Sequence, residues 1–492
     1  MDYYVLRKTK IVILFILLFI LSASEAICLN SKIMDLLYPK ISTDNNRNLI
    51  VVSIDIESCQ SCISLKVNSM INNLKDNIDE SNTVLICETK IEKDCYAIAD
   101  RYKVDFFIED TNSVFSSLGI SFPSILFIDK NKDIMKFNFN DLLNSNSELV
   151  KLINSENYKI NKRKNINEID PIYISDVLKP VIKKNELYFL SEKSNKFFKY
   201  DFEKAEMDIQ FQPSKEELII HSDIPVNLID SLEIYNYLDI NFLYNLNSFD
   251  YRNDRITILV NKLSEIEYKR ENDHSTFRMI LSDGLLEFNE EGTRFNEFKT
   301  LNIALYDDFV RNNNHLFLKF KYSDNPIIDS LALVINVDEK YEFDTLISVR
   351  DLSLSEDEYT LKMNDLVDII RAGEEDLFLY SQKLGRIYKF SEGKISSFNL
   401  GGIHKIYDGF AIRDMIVHGK KVYTISVSDN SRMLIQSYSS EGHFLSEEIY
   451  LLDEDELLST SFVKNEEAEL ILLNKWRNKR WTLDYLNYGI PE

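Results

Sequence analysis

Two cysteines separated by two residues, Cys59 and Cys62, stand inside the stretch "IVVSIDIESCQSCISLKVNSM" from Ile50 to Met70. A dithiol at this spacing can close into a disulfide and reopen, can contribute half of a metal site, or can staple a loop. The reactive species in exchange is the thiolate, so something must stabilise the anion. The β-branched run before the pair reads as a strand and the pattern after it as a helix. A helix that begins at the pair puts Cys59 at its amino end, where unpaired backbone N–H groups and the macrodipole favour negative charge. Cys62 then falls one turn along on the same side. That assignment makes Cys59 the attacking thiol and Cys62 the resolving one.

The elements around the pair alternate. "NLIVVSIDI" reads as a buried strand, "CISLKVNSMINNLKDNI" as a helix and "NTVLIC" as a strand. Helical "EKDCYAIADRYK", extended "VDFFIED", helical "NSVFSSLG" and the strands "PSILFIDKN" and "DIMKFN" follow, a βαβ arrangement ending in a hairpin. The order strand, Cys59-Gln60-Ser61-Cys62, helix, and then "SFPSILFIDKNKDI" about sixty residues later, resembles the thioredoxin fold. The likeness is greatest to the TlpA-like and peroxiredoxin-related branch of exported thiol-disulfide oxidoreductases, and it covers about one fifth of the chain. The resemblance implies that Pro123 is a cis proline packed against the dithiol, and that Phe122 and Pro123 present backbone to a substrate. Two features depart from that pattern: Glu57 and Ser58 stand where many thioredoxins carry a tryptophan, and Ser53 and Leu65 stand where a buried acid is usual. Proton transfer from Cys62 therefore lacks a named base, and Asp55 and Glu57 beside the pair would raise a thiol pKa rather than lower it.

A zinc site would need a second close pair, yet Cys87 and Cys95 are eight apart. The six histidines (His221, His274, His315, His404, His418 and His443) all fall in the second domain, beyond residue 176, without ligand spacing. No metal and no cofactor are expected. A disulfide between Cys59 and Cys62 closes so short a loop that it constrains the unfolded chain little. Cys87 ends a strand and Cys95 lies on the next helix, so the two either form a second disulfide or are buried apolar residues.

Arg7, Lys8 and Lys10 precede the apolar run Ile11 to Leu21, with Ser24 and Ala26 at small-residue positions beyond it. This reads as a signal peptide over residues 1–26, or as a membrane tether if uncleaved, and implies an exported, periplasmic or extracytoplasmic protein in an oxidising compartment. Cys28 follows bulky Ile27, which does not suit a lipid-attachment site. Lys and Arg number 57 against 80 Asp and Glu, a formal charge of -23, and no basic stripe interrupts the acidic background. Nucleic acid is therefore excluded as a partner class. The partners expected are protein thiols or disulfides and a membrane-bound redox protein.

At 492 residues the chain calls for more than one domain. A thioredoxin-like domain over 30–154 is followed by a polar, basic, aperiodic stretch containing Pro171, which reads as a linker over 155–176. Residues 177–492 carry six comparable β-type runs: "ELYFLS" from Glu186, "ITILVNK" from Ile256, "HLFLKFKY" from His315, "DLFLYSQ" from Asp376, "KVYTISVS" from Lys421 and "ELILLNK" from Glu469. Several lead through a polar turn into an aromatic strand, as in "NKFFKYDFE", "GRIYKFSEG" and "NKRWTLDYLN". Six such units predict an all-β domain built as a six-bladed β-propeller, with an irregular pair of β-sandwiches as the alternative. The recurrence of Phe197, Phe198, Tyr200, Tyr388 and Phe390 at strand positions reads as packing between blades. The two-domain order is similar to the pairing of a thioredoxin domain with an NHL-like propeller. Two functions follow: an exported thiol-disulfide oxidoreductase whose propeller positions the partner, or a binding protein whose propeller does the work and whose thioredoxin domain is vestigial.

Overall fold

The computed structural model describes residues 37, 48–55, 81–88, 104–109, 124–128, 134–137, 150–152, 156–157 and 162–166, and from residue 177 to 486 the strands with the turns that bound most of them. The apolar run of residues 11–21, the helices expected between the first strands, and Cys59, Cys62, Cys95, Phe122 and Pro123 lie outside the described residues. No described helix is long and apolar enough to cross a membrane. The chain divides into two compact units, residues 1–155 with 401–409, and residues 156–400 with 410–492.

The first unit holds one mixed sheet of β1 (Asn48–Asp55), β2 (Ser81–Glu88), β3 (Phe106–Glu109), β4 (Ser124–Ile128) and β5 (Ile134–Phe137). Its order is β3-β2-β1-β4-β5. β1, β2 and β3 run parallel, and β4 and β5 return antiparallel. Leu49, Val51, Val84, Ile86, Leu126 and Ile128 form a core on one face. The alternate residues Ile50, Val52, Leu85, Ile125 and Phe127 are buried as well. Strands covered on both faces need unbroken apolar runs, and that is why these segments are readable without periodicity. At the far edge Asp105 accepts from the Thr83 backbone N–H at 2.7 Å and from its hydroxyl at 2.8 Å, pinning the start of β3 to β2.

The second unit is built of six sheets, blades I to VI, spanning 177–211, 221–300, 306–348, 369–399, 410–451 and 457–486. Their inner strands are Val177–Lys183, Tyr244–Arg252, Tyr306–Asn312, Ile369–Ala372, Phe410–His418 and Leu457–Val463. Each inner strand adjoins the next, and that of blade VI adjoins that of blade I. A closed ring of radially arranged sheets of four or five strands is a β-propeller, and the sandwich alternative is excluded. The six apolar runs found in the sequence are the second strands of the blades, not the first. They are buried on both faces because each is covered by the blades on either side, as in Leu377–Ser381 and Leu470–Trp476. The outer strands, such as Glu206–Phe211 and Lys394–Asn399, are largely exposed and correspondingly polar.

The expected linker is not one throughout. It contributes β6 (Glu156–Asn157) and β7 (Lys162–Ile166). β6 extends the outer edge of blade V, and β7 pairs antiparallel with Trp481–Leu486 as the fourth strand of blade VI. Chain segments from both ends of the unit thus complete one sheet and close the ring. The aromatics pack between blades as expected. Phe198 and Tyr200 join Leu187, Trp481 and Leu483 between blades I and VI, Phe197 joins Tyr244 and Phe249 between blades I and II, and Tyr388 meets Val310 and Phe317 between blades III and IV.

Turn chemistry is strict where blades touch. Gly442 has φ of 84° in the hairpin of blade V, and a Cβ there would stand 2.4 Å from Phe398 of blade IV. Gly393 has φ of 74° with nothing near its missing Cβ. Gly442→Ala is expected to cost about 2–4 kcal/mol, conformational strain plus overpacking, and Gly393→Ala only about 1 kcal/mol. Denaturant midpoints of the two variants check the difference.

Candidate functional site

The first candidate lies at one end of the five-stranded sheet. β1 ends at Asp55, four residues before Cys59, and β4 begins at Ser124, directly after Phe122-Pro123. The register pairs Ser53 with Ser124. The two buried hydroxyls meet at 2.6 Å, and the Ser124 N–H donates to Ser53 Oγ at 3.0 Å. The strand ends that carry the dithiol segment and the proline segment are therefore fastened side by side. Parallel pairing brings Cys87 of β2 against Ile54 of β1, at the same end. Cys87 is fully buried and disulfide-bonded. Its partner is one of the four cysteines outside the described residues, so Cys95 remains the expectation carried from the sequence. Ser53 offers a hydrogen-bonded hydroxyl and no titratable group. Among the described residues no cluster of three or more His, Cys, Asp or Glu is placed to hold a metal.

The second candidate lies on the axis of the propeller and was not foreseen from the sequence. β-Bulges interrupt five of the six described inner strands, including those before Ser248, Asp308 and Asp414. A bulge frees a backbone group and re-aims a side chain. Asp308 Oδ1 accepts from its neighbour Phe309 N–H at 2.8 Å, and Asp414 Oδ1 accepts from Met415 N–H at 2.7 Å. Each carboxylate also reaches another blade: Ser248 Oγ donates to Asp308 at 2.6 Å, and the Phe462 N–H donates to Asp414 Oδ2 at 2.9 Å.

Two cations complete this network. Lys179 pairs with Asp308 and donates to the Phe309 carbonyl. Arg371 pairs with Asp414, stands 3.8 Å from Asp308, and donates through Nε to the Met415 carbonyl at 2.7 Å. Burial pulls the Lys179 ammonium below its usual range, with Asp308 opposing that shift and Arg371 adding to it. Burial by itself would push the Asp308 carboxyl up, but the charges of Lys179 and Arg371 hold it below the ordinary carboxylate range. The repeated signature, Asp308-Phe309-Val310 and Asp414-Met415-Ile416, is visible in the sequence once the inner strands are known.

Removing one partner of a buried pair leaves an uncompensated charge. Asp414→Ala strands Arg371 and two backbone N–H groups, and is expected to cost about 3–5 kcal/mol. Asp414→Asn keeps one of the two acceptor oxygens and should cost about 1–3 kcal/mol. Chemical unfolding of the two variants in parallel measures both.

Compared with models of known protein families the chain matches none, and no curated protein matches it in sequence. Among solved structures it is similar to a luciferin-regenerating enzyme, with a TM-score of 0.40 at 9% identity over 67% of this chain and 96% of that one. It is also similar to regucalcin, a calcium-binding protein of Agrobacterium tumefaciens, with a TM-score of 0.36 at 8% identity over 67% and 95% of the two chains. A secreted disulfide oxidoreductase of Mycobacterium tuberculosis matches 18% of this chain and 68% of its own, with a TM-score of 0.17 at 12% identity. The propeller assignment rests on the closed ring of sheets.

Proposed function

We propose that this chain is an exported thiol-disulfide oxidoreductase whose first unit is a thioredoxin fold and whose propeller positions the partner protein. The observation that carries the reading is the pairing of Ser53 with Ser124, which fastens the strand leading to Cys59-Gln60-Ser61-Cys62 beside the strand that follows Phe122-Pro123. The sheet order β3-β2-β1-β4-β5 supports it, because antiparallel β4 and β5 return the chain beside the dithiol strand. The exported character rests on Arg7, Lys8, Lys10 and the apolar run that follows them.

In the reducing direction the Cys59 thiolate attacks one sulfur of a partner disulfide. A Cys59–partner bond forms, and the partner's other sulfur leaves as thiolate. Cys62, deprotonated, then attacks Cys59 Sγ, closing the Cys59–Cys62 disulfide and releasing the second partner thiolate. Two electrons pass from the dithiol to the partner. Oxidation of a partner dithiol is the same sequence reversed. Phe122 and Pro123 line the groove that receives the partner, and Cys87 with Cys95 forms a second disulfide in the same domain.

One observation favours the binding-protein reading instead: the position usual for a proton-accepting acid is occupied by Ser53, whose hydroxyl is committed to Ser124. Substitution separates the two. Cys62→Ser traps covalent partner complexes that reductant releases if exchange is the function, and captures nothing if the first unit is vestigial.

A further inference from the structure

We infer that the axial cavity of the propeller is a binding site for a small organic carboxylate, independent of the dithiol chemistry. The cavity holds about 100 Å³ and receives residues from all six blades. That space is ample for several waters and suits a compact mono- or dicarboxylate.

Lys179, Arg311, Arg371 and Lys464 line it together with only two acids, Asp250 and Asp414. Asp308 and Glu287 stand behind the wall and pair with Lys179 and Arg311, so formal charge balances. Hydrogen-bond capacity does not. Asp414 accepts from Arg371 and two backbone N–H groups, and Asp308 Oδ1 from Lys179, Ser248 and its own neighbour. Arg371 gives three of its N–H groups to Asp414 and two carbonyls. Arg311, in contrast, gives one N–H to Glu287 at 3.4 Å, and Lys464 gives one to Asp250 at 3.2 Å. A guanidinium offers five donors and an ammonium three. Arg311 and Lys464 thus bring to the cavity wall charged donors beyond the single hydrogen bond each gives to an acid, and a ligand rich in acceptors can take these up.

The rest of the wall selects a carbon skeleton over an inorganic oxyanion. Val181, Phe249, Val310, Ile416 and Phe462 line the same space, and apolar walls with a few placed polar groups are the usual make-up of a small-molecule site. Strain marks the same place. Lys179 is held at φ of 46° immediately before Pro180, a position where both a lysine side chain and the following proline disfavour that conformation. Backbone outliers of this kind persist where surrounding contacts over-determine them, and they gather at ligand sites.

The test is isothermal titration calorimetry of the full chain with acetate, succinate and glutarate, and separately with inorganic phosphate, at constant ionic strength. Saturable binding of at least one carboxylate is expected, weakened by about tenfold or more in Arg311→Gln and in Lys464→Gln, and unchanged in the Cys59→Ser, Cys62→Ser double variant. Tryptophan emission identical to the parent's confirms that each variant is folded, and either variant alone decides the matter if the other is not. Absence of saturable binding by all three carboxylates, phosphate binding as tight as any of them, or affinity indifferent to both substitutions overturns the inference.

Discussion

A fragment of residues 156–492 is expected to fold into a stable propeller, and a fragment of residues 177–492 is expected to fail. The difference is β7. Its five residues pair with Trp481–Tyr485, and Ile166 is 4% exposed among Trp481, Leu483 and Leu187. Lys164 lies over the Phe202 ring of blade I at 4.6 Å. Without β7, blade VI presents an unpaired edge flanked by apolar side chains, an arrangement prone to association. Burial of Ile166 alone contributes about 1.5–3 kcal/mol, and lost ladder bonds at about 0.5–1.5 kcal/mol each bring the total near the whole stability of a typical domain. β6, with two paired residues, matters much less. The readout is built in, because the chain has two tryptophans and both, Trp476 and Trp481, are buried in blade VI. Blue-shifted emission and one cooperative unfolding transition are expected of the longer fragment, and red-shifted emission with aggregation of the shorter.

The second large effect concerns the dithiol. Cys59→Ser is expected to lower disulfide exchange by roughly 10³-fold or more, to background, since hydroxyl cannot replace thiolate as the nucleophile. Cys62→Ser should block turnover equally while leaving the first step intact, so that Cys59 stays joined to its partner. The asymmetry is the informative part: a pair that merely staples a loop gives two variants that behave alike. Assay of a model protein disulfide, with non-reducing electrophoresis of both variants, measures it. Capture of partners by Cys59→Ser and not by Cys62→Ser would reverse the assigned roles, and no difference between the two variants would remove them.

How far the sequence could be read follows burial. Strands covered on both faces, such as Leu49–Val52, Ser124–Ile128 and the second strands of the blades, show as continuous apolar runs, and β1 to β5 fall where those runs are. The inner strands are hidden by their own polarity. "YNLNSFDYR" and "YDDFVRN" carry polar residues of the axis and bulges that break the alternation, and "IIRA" is only four residues long with Arg371 in it, so all three resemble loops. β7 is hidden differently. "KRKNI" is an outermost strand with a single buried apolar residue, and nothing local separates it from a basic linker, since its strand character comes from pairing with a segment more than 300 positions away. The axial site inherits both difficulties. Lys179, Asp308, Arg371 and Asp414 come from four blades, and only closure of the ring brings them together.

The measurement that bears most directly on the proposed function is the redox equilibrium of Cys59 and Cys62 in the full chain, by incubation in glutathione or dithiothreitol buffers of graded potential followed by thiol trapping and mass analysis. A reversible two-electron transition between about -270 and -120 mV, the span of known thiol oxidoreductases, is the predicted result; its position also tells a reductase from an oxidant. A pair that stays oxidised or reduced across the whole range, with no reversible transition, contradicts the account and leaves the propeller as the working part of the protein.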